Sequence, residues 1–403
     1  MKFRYINIVL LLVFTVVTNS YGQIKQENYL KGLVNLETKK YQEAIEQFTE
    51  VIKNGNYHYQ VLLKRGEAYL ETGNYDLAIK DFQSANTLEA GSGSLGLARV
   101  YSLSGKPGLV VKYLEEHLNS SFKEPEKRIK LDKAFQLIDR SREWINLWRK
   151  DWYSPDEYRI QEIEYLIQNK NYKEAKVLLN TALAKNPRDG KLWALQARVN
   201  TGINDYKASL EDYDNALKYD KDNREYLVGR AEVLIRMKEF NGALNGLNRA
   251  IYLYPDQLML YRKRSILYRE LGNYPKAIKD IQFYLNYYDE DEEAWYQCGV
   301  LYVDQDKYLS ALECFNRIVE INPGNPRNFI ARADAYLKTR TYKYAINDYS
   351  MALDLDPGNY QTYLNRGIAN VLTGNFKAAC YDFDRSRKLG SREAELKYHK
   401  YCQ

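Results

Sequence analysis

Gly73-Asn74-Tyr75, Gly272-Asn273-Tyr274 and Gly374-Asn375-Phe376 are three copies of one short string. Three places after each aromatic residue stands an alanine: Ala78, Ala277 and Ala379. Extending the register outward from these strings gives a period of 34. Units begin near residues 156, 190, 224, 258, 292, 326 and 360, with no insertion or deletion between them. Two more begin near 25 and 59, and a weaker one near 91. The prior of two or three globular domains for 403 residues fails for a chain that repeats in this way.

The recurring places have physical reasons. The eighth is small (Gly32, Gly66, Ala98, Ala197, Ala231, Ser265, Gly299, Ala333, Gly367), and so is the twentieth (Ala44, Ala78, Ala175, Ser209, Ala243, Ala277, Ala311, Ala345, Ala379). Two helices approach closely only where neither face carries bulk. The twenty-fourth place is large and apolar or aromatic, from Phe48 and Phe82 through Tyr213 to Phe383, and fills the space between helices. Places 20, 24 and 27 share one helical face. Proline stands at the thirty-second place at 187, 255, 323 and 357, where a second helix must stop. The seventeenth place is aromatic in nine of ten units, so much of the excess of 38 tyrosines is architectural.

This pattern resembles the tetratricopeptide repeat (TPR) family over residues 25–124 and 156–391. The resemblance implies an all-α, right-handed α-solenoid of helix–turn–helix units. Ile163 at a small eighth place, and Pro107 and Val110 in the unit at 91, depart from the pattern, so those two units should pack less regularly. The polar, helical tail at 392–403 suits a capping helix over the last apolar face. The expected organisation is a leader at 1–22, three repeats over 23–124 with the third degenerate, an irregular junction at 125–155, seven repeats over 156–391 and the cap.

The leader reads as a secretory signal. Lys2 and Arg4 precede an uncharged apolar run from Ile6 to Val17, and Ser20-Tyr21-Gly22 places small residues at the cleavage offsets. The run is too short to span a bilayer, which takes about 20 residues. No other stretch suggests a transmembrane anchor. Cleavage after Gly22 is expected, making the protein periplasmic or secreted. Losing Lys2 and Arg4 lowers the formal charge from +6 to +4, too weak a balance to suggest nucleic acid.

The junction holds Trp144, Trp148 and Trp152, spaced four apart, which on a helix would make one stripe. The stripe either fills an imperfect join between two arrays or docks a partner, since tryptophan is enriched at binding hot spots. Places seven and 23 hold opposite charges in four units: Arg65 and Asp81, Arg264 and Asp280, Arg332 and Asp348, Arg366 and Asp382. An exposed ion pair between the two helices would help only modestly. In the unit at 292 the same places hold Cys298 and Cys314, and in an exported chain they are expected to form a disulfide. The alternative is two buried thiols. Cys380 and Cys402 would pair if the tail folds back on the last unit.

Enzyme chemistry finds no support. Gly91-Ser92-Gly93-Ser94-Leu95-Gly96 matches a dinucleotide-loop pattern, but a repeat helix precedes it where a strand is required, so it reads as a flexible turn. Asp289 to Glu293 lacks the ligand spacing of a calcium loop and reads as a solvated acidic turn. Histidines at 58, 117 and 399 are scattered. No enzyme activity, cofactor or metal is expected.

In proteins of the resembled family, the second, fifth, ninth and twelfth places of the first helix form a groove for peptides. Here the last three units place Glu293, Tyr296, Val300 and Val303; Arg327, Ile330, Asp334 and Leu337; and Gln361, Leu364, Ile368 and Val371 at those positions. That strip is apolar enough to take a partner segment, unless neighbouring helices bury it. The middle units put Arg198, Glu225, Glu232, Arg262 and Arg269 at equivalent places. The lysine and asparagine set that some members use to hold a terminal carboxylate is missing. The expected function is an exported scaffold or adaptor binding protein segments, and the alternative is a glycan or cell-wall polymer binder using aromatic surfaces. Self-association is left open.

Overall fold

The computed structural model describes residues 26–402, apart from 54, 56 and 57. The expected leader and its cleavage point lie outside the described residues. Every element among the described residues is helical. The chain forms two compact units, one ending at Gly202 and one beginning at Ile203.

In the first unit, α1 (26–37) pairs with α2 (Tyr41–Lys53), α3 (Tyr59–Glu71) with α4 (Tyr75–Leu88), and α5 (Ser94–Leu103) with α6 (Pro107–Leu118). The junction then supplies α7 (Glu126–Lys130), a 3-10 turn (Lys133–Phe135) and α8 (Arg142–Leu147). Three helices follow: α9 (Pro155–Gln168), α10 (Tyr172–Lys185) and α11 (Gly190–Gly202). The second unit opens with α12 (Tyr206–Tyr219). Its hairpins are α13 (Arg224–Arg236) with α14 (Phe240–Leu253), α15 (Leu258–Glu270) with α16 (Tyr274–Leu285), α17 (Glu292–Val303) with α18 (Tyr308–Ile321), α19 (Pro326–Lys338) with α20 (Tyr342–Leu355), and α21 (Tyr360–Leu372) with α22 (Phe376–Lys388). The last helix is α23 (Arg392–Tyr401). Outside the junction, the helices of each unit pack chiefly on their sequence neighbours, the stacking of an α-solenoid, whereas α8 packs on α6 and the 3-10 turn on α5.

The two small places and the large one meet as their types require. The twentieth-place alanines are wholly buried. Glycine occupies the eighth place wherever phenylalanine occupies the twenty-fourth. A Cβ on Gly32, Gly66, Gly299 or Gly367 would come within 2.8 Å of the ring of Phe48, Phe82, Phe315 or Phe383. Each ring occupies the space that a side chain at the glycine would need. The two departures are accommodated inside the stack, since Ile163 and Val110 are both fully buried. The glycine string at 91–96 is packed rather than loose: a Cβ at Gly93 would sit 2.1 Å from the Phe82 carbonyl oxygen.

Each hairpin turns in the same way. The fifteenth residue of every unit (Lys39, Gly73, Gly105, Lys170, Asn204, Lys238, Gly272, Asp306, Arg340, Gly374) has φ between 56° and 78°. This left-handed residue ends the first helix and lets later N–H groups close on its last carbonyls, as Asn273 N–H does on Tyr268 O at 2.7 Å. Only four of the ten are glycine.

The charged pairs prove to be clamps across three helices. Arg332 of α19 donates through Nε and Nη2 to both oxygens of Asp348 on α20, at 2.7 and 2.8 Å, and through Nη1 to Asn316 Oδ1 on the preceding α18 at 3.1 Å. Arg65, Arg264 and Arg366 repeat this with Asp81, Asp280 and Asp382, using Thr49, Asn248 and Ser350 as third acceptors. The four aspartates are buried, so these are not the weak surface pairs the sequence suggested. Asp382 is the most enclosed, and there burial outweighs the guanidinium and pushes the carboxyl above the usual range.

Helix α23 covers the last hairpin. Its Ala394 joins Leu364, Ala379 and Phe383 in one buried cluster, and a disulfide links Cys380 of α22 to Cys402.

Candidate functional site

The face formed by α17, α19 and α21 carries the expected groove residues. Asx residues start these helices: Asp291 accepts from Ala294 N–H, Asn325 from Arg327 N–H and Asn359 from Thr362 N–H. Val300, Val303, Ile330, Leu337, Ile368 and Val371 are half-buried, so each keeps part of its surface toward solvent. Leu364 does not. It is 1% exposed, because the cluster it shares with Ala394 of the cap encloses it, and it is removed from the groove set.

Beside this strip runs a rail of polar contacts from one first helix to the next. The Arg327 guanidinium lies 3.6 Å over the Tyr296 ring and pairs with Glu293 at 2.9 Å, joining α19 to α17. Asp334 accepts from Asn365 of α21 at 3.2 Å, and Asn365 in turn accepts from Gln361 at 2.9 Å. Asp334 also accepts from the phenol of Tyr349, whose own burial and then the carboxylate hold its proton far above the ordinary range. The middle charges are committed in the same way. Glu232 pairs with Lys263, Arg262 reaches Asp291 at 3.0 Å and Gln297 at 3.2 Å, and Arg269 reaches Asp304 at 2.6 Å. Glu225 is exposed on α13, and Arg198 is exposed on α11 of the first unit.

Three carboxylates of the acidic turn, Asp291, Glu292 and Glu293, are bonded within the protein, while Asp289 and Glu290 are exposed. Glu292 accepts from the side-chain amides of Asn322, Asn325 and Asn328 at 2.8, 2.6 and 2.9 Å. These bonds hold its carboxyl below the usual range against the opposing effect of desolvation. No sequence motif marked this cage, although three asparagines between a second helix and the next first helix were visible as a cluster.

Residues 29–94 and 262–326 match a family model described as tetratricopeptide repeat. These two stretches are similar to TPR units. The TPR repeat protein oca3 of Schizosaccharomyces pombe is 29% identical over 82 residues, 20% of this chain and 29% of that protein. The Hsp70-Hsp90 organizing protein of Triticum aestivum is 23% identical over 235 residues, 53% of this chain and 38% of that protein. The chain thus spans about a third of the length of these curated relatives. Among solved structures, the C-terminal part of a TPR repeat-containing protein from Cytophaga hutchinsonii matches with a TM-score of 0.54 at 17% identity, covering 59% of this chain and 98% of that one. That likeness supports the fold.

Two expectations, one in the repeat at 292 and one in the junction, are corrected. Cys298 and Cys314 are both buried and free. The Cys298 thiol, hydrogen-bonded to Cys314, and then burial push the Cys314 thiol far above the usual range, which disfavours the thiolate that disulfide exchange requires. They line a cleft of about 560 Å³ with Trp295, Tyr302 and Gln282, where a clamp arginine stands in other repeats. The bridge forms instead between Cys380 and Cys402, because α23 folds back.

The tryptophans do not share a helical stripe. Helix α8 ends at Leu147, Trp148 follows as its cap, and Trp152 lies beyond, its Nε1 donating back to Leu147 O at 2.8 Å. Trp144 is 5% exposed and meets Phe135 and Trp148 at ring distances of 5.3 and 5.6 Å. All three pack on the cluster that joins α5 and α6 to the junction.

Proposed function

We propose that this protein is an exported adaptor whose α17–α19–α21 face binds protein segments. TPR scaffolds are typical of protein–protein interaction, and no helix among the described residues is long and apolar enough to cross a membrane. One observation carries the finer reading. The aliphatic strip Val300, Val303, Ile330, Leu337, Ile368 and Val371 stays half open beside a polar rail already satisfied within the protein. A partner segment laid there covers apolar surface without having to neutralise unpaired charge. Export is supported by the leader pattern and by the Cys380–Cys402 bridge, since such bonds persist in oxidising compartments.

The test is capture from envelope extract of the source cell by the mature chain and by a Val300→Arg, Ile330→Arg variant with unchanged melting. A protein held by the first and lost by the second supports the proposal. Equal capture by both removes the function from this face. For export, N-terminal sequencing of the secreted or periplasmic fraction should read from Gln23, and an intact Met1 there would refute cleavage.

A further inference from the structure

The repeat at 91 has no following repeat on its open side, because the irregular segment comes next. Its groove places five, nine and twelve are Leu95, Arg99 and Ser102 of α5. All three are occupied by the chain itself. Arg99 Nε donates to Asp132 Oδ2 at 2.6 Å, and Ser102 Oγ donates to the Ala134 carbonyl at 2.6 Å. Leu95 belongs to the same buried cluster as Phe135. The second oxygen of Asp132 accepts from Ala134 N–H at 2.9 Å and so caps the 3-10 turn that carries Phe135 to that cluster.

We infer that Leu131–Phe135 is a ligand held in cis, and that this face of the repeat at 91 recognises an acidic residue followed three positions later by an aromatic one. The inference rests on the reading that first-helix faces of this protein take protein segments, and it adds what one such face selects. Burial of Ile129, Phe135 and Ile138 accounts for the apolar half of the contact. It does not require a carboxylate on Arg99 or a carbonyl on Ser102. Those two bonds read one side chain and one backbone group, as a groove reads an incoming segment. The turn also lines a cleft of about 810 Å³, which Arg99, Asp132 and Ala134 share with Leu36, Leu70 and Glu71. A partner carrying the same acidic–aromatic pattern therefore competes with residues 131–135, while other segments stop at them.

The experiment uses the mature chain with Asp132→Arg and Phe135→Ala, which sets a cation against Arg99 and empties the ring site. The probe is a synthetic peptide of residues 129–138. The variant should melt lower than wild type, and the peptide at about 100 µM should restore several degrees, whereas wild type, with its site filled, should not respond. A peptide carrying Asp132→Ala, or an added Arg99→Ala in the protein, should lose at least about tenfold in affinity. Equal rescue by the Asp132→Ala peptide would reduce the site to a cavity and overturn the inference, as would absence of rescue in a folded variant. If the double variant does not fold, Asp132→Arg alone is followed by amide exchange, which should speed up about tenfold at 131–135 and not in α3 or α4. Unchanged exchange there would also overturn it. None of these readouts involves Val300 or Ile330, so failure of the adaptor reading on the other face is told apart from failure here.

Discussion

In the unit beginning at Ile203, Arg264, Arg332 and Arg366 each tie three helices with the same geometry. Among the described residues of the unit ending at Gly202, Arg65 alone has this geometry. Past α6, that unit depends on contacts that occur once: His117 Nε2 accepting from Glu124 N–H at 3.1 Å, the Tyr153 hydroxyl donating to Glu124 O at 2.6 Å, and Arg99 and Ser102 on the 3-10 turn. The difference teaches how a repeat protein survives a break in its period. Where the register runs on, one solved packing problem is reused, and the buried charge pairs at Arg264, Arg332 and Arg366 each find a third acceptor on the preceding helix. Where it stops, the apolar faces must be covered by a segment with no template, and each buried polar group needs a partner of its own.

The largest effect is expected from breaking a clamp. Asp348→Ala leaves the Arg332 guanidinium half-buried without its carboxylate and should destabilise the second unit by about 3–5 kcal/mol. Cys314→Ala, at the matching place in the repeat at 292, should cost only about 1–2 kcal/mol, since no charge is stranded. Urea unfolding followed by segment-resolved amide exchange compares the two, and equal losses would show that the clamps are not the source of regularity.

Next is the cap. Cys402→Ser opens a link between residues 22 apart and should destabilise α23 on the last repeat by about 3 kcal/mol on the chain-entropy model, with the first unit unaffected. Exchange in α23 that is no faster in the variant would contradict this.

The third contrast is in pH. His117 is 2% exposed, and burial, then the charge of Arg99, lower its pKa from 6.5 to about 4. The unfolded chain therefore takes up a proton first. The contribution of neutral His117 is fully present above pH 6.5 and is lost as pH falls toward 4, at most about 3 kcal/mol and in the first unit alone. His117→Gln should flatten that slope. A second unit that loses stability over the same window with the same slope would show that His117 is not the cause.

The smallest expected effect is a gain. Lys238 sits at φ 62° where Gly272 and Gly374 occupy the same place, so Lys238→Gly should stabilise by about 0.5–1 kcal/mol. A loss would mean that the lysine stem contributes more packing than the turn geometry suggests.

The all-helical fold and its paired helices were legible in the sequence because they rest on residues that recur in one register. Gly299 beside Phe315 repeats Gly32 beside Phe48, and a period makes such choices visible without coordinates. The groove places could also be named, and the structure leaves six aliphatic side chains of the strip half open. The third acceptor of each clamp was harder to see, since Asn316 serves an arginine of the following unit and its type varies among threonine, asparagine and serine. The enclosure of Leu364, the pairing of Cys380 with Cys402 rather than Cys298 with Cys314, and the seat of Asp132 on Arg99 lay beyond the sequence. Each depends on where a non-repeating segment lands. A period records what neighbours one repeat apart must share, whereas the cap and the junction meet the stack only once, and only the tertiary fold decides which groups they bury and which they leave bonded.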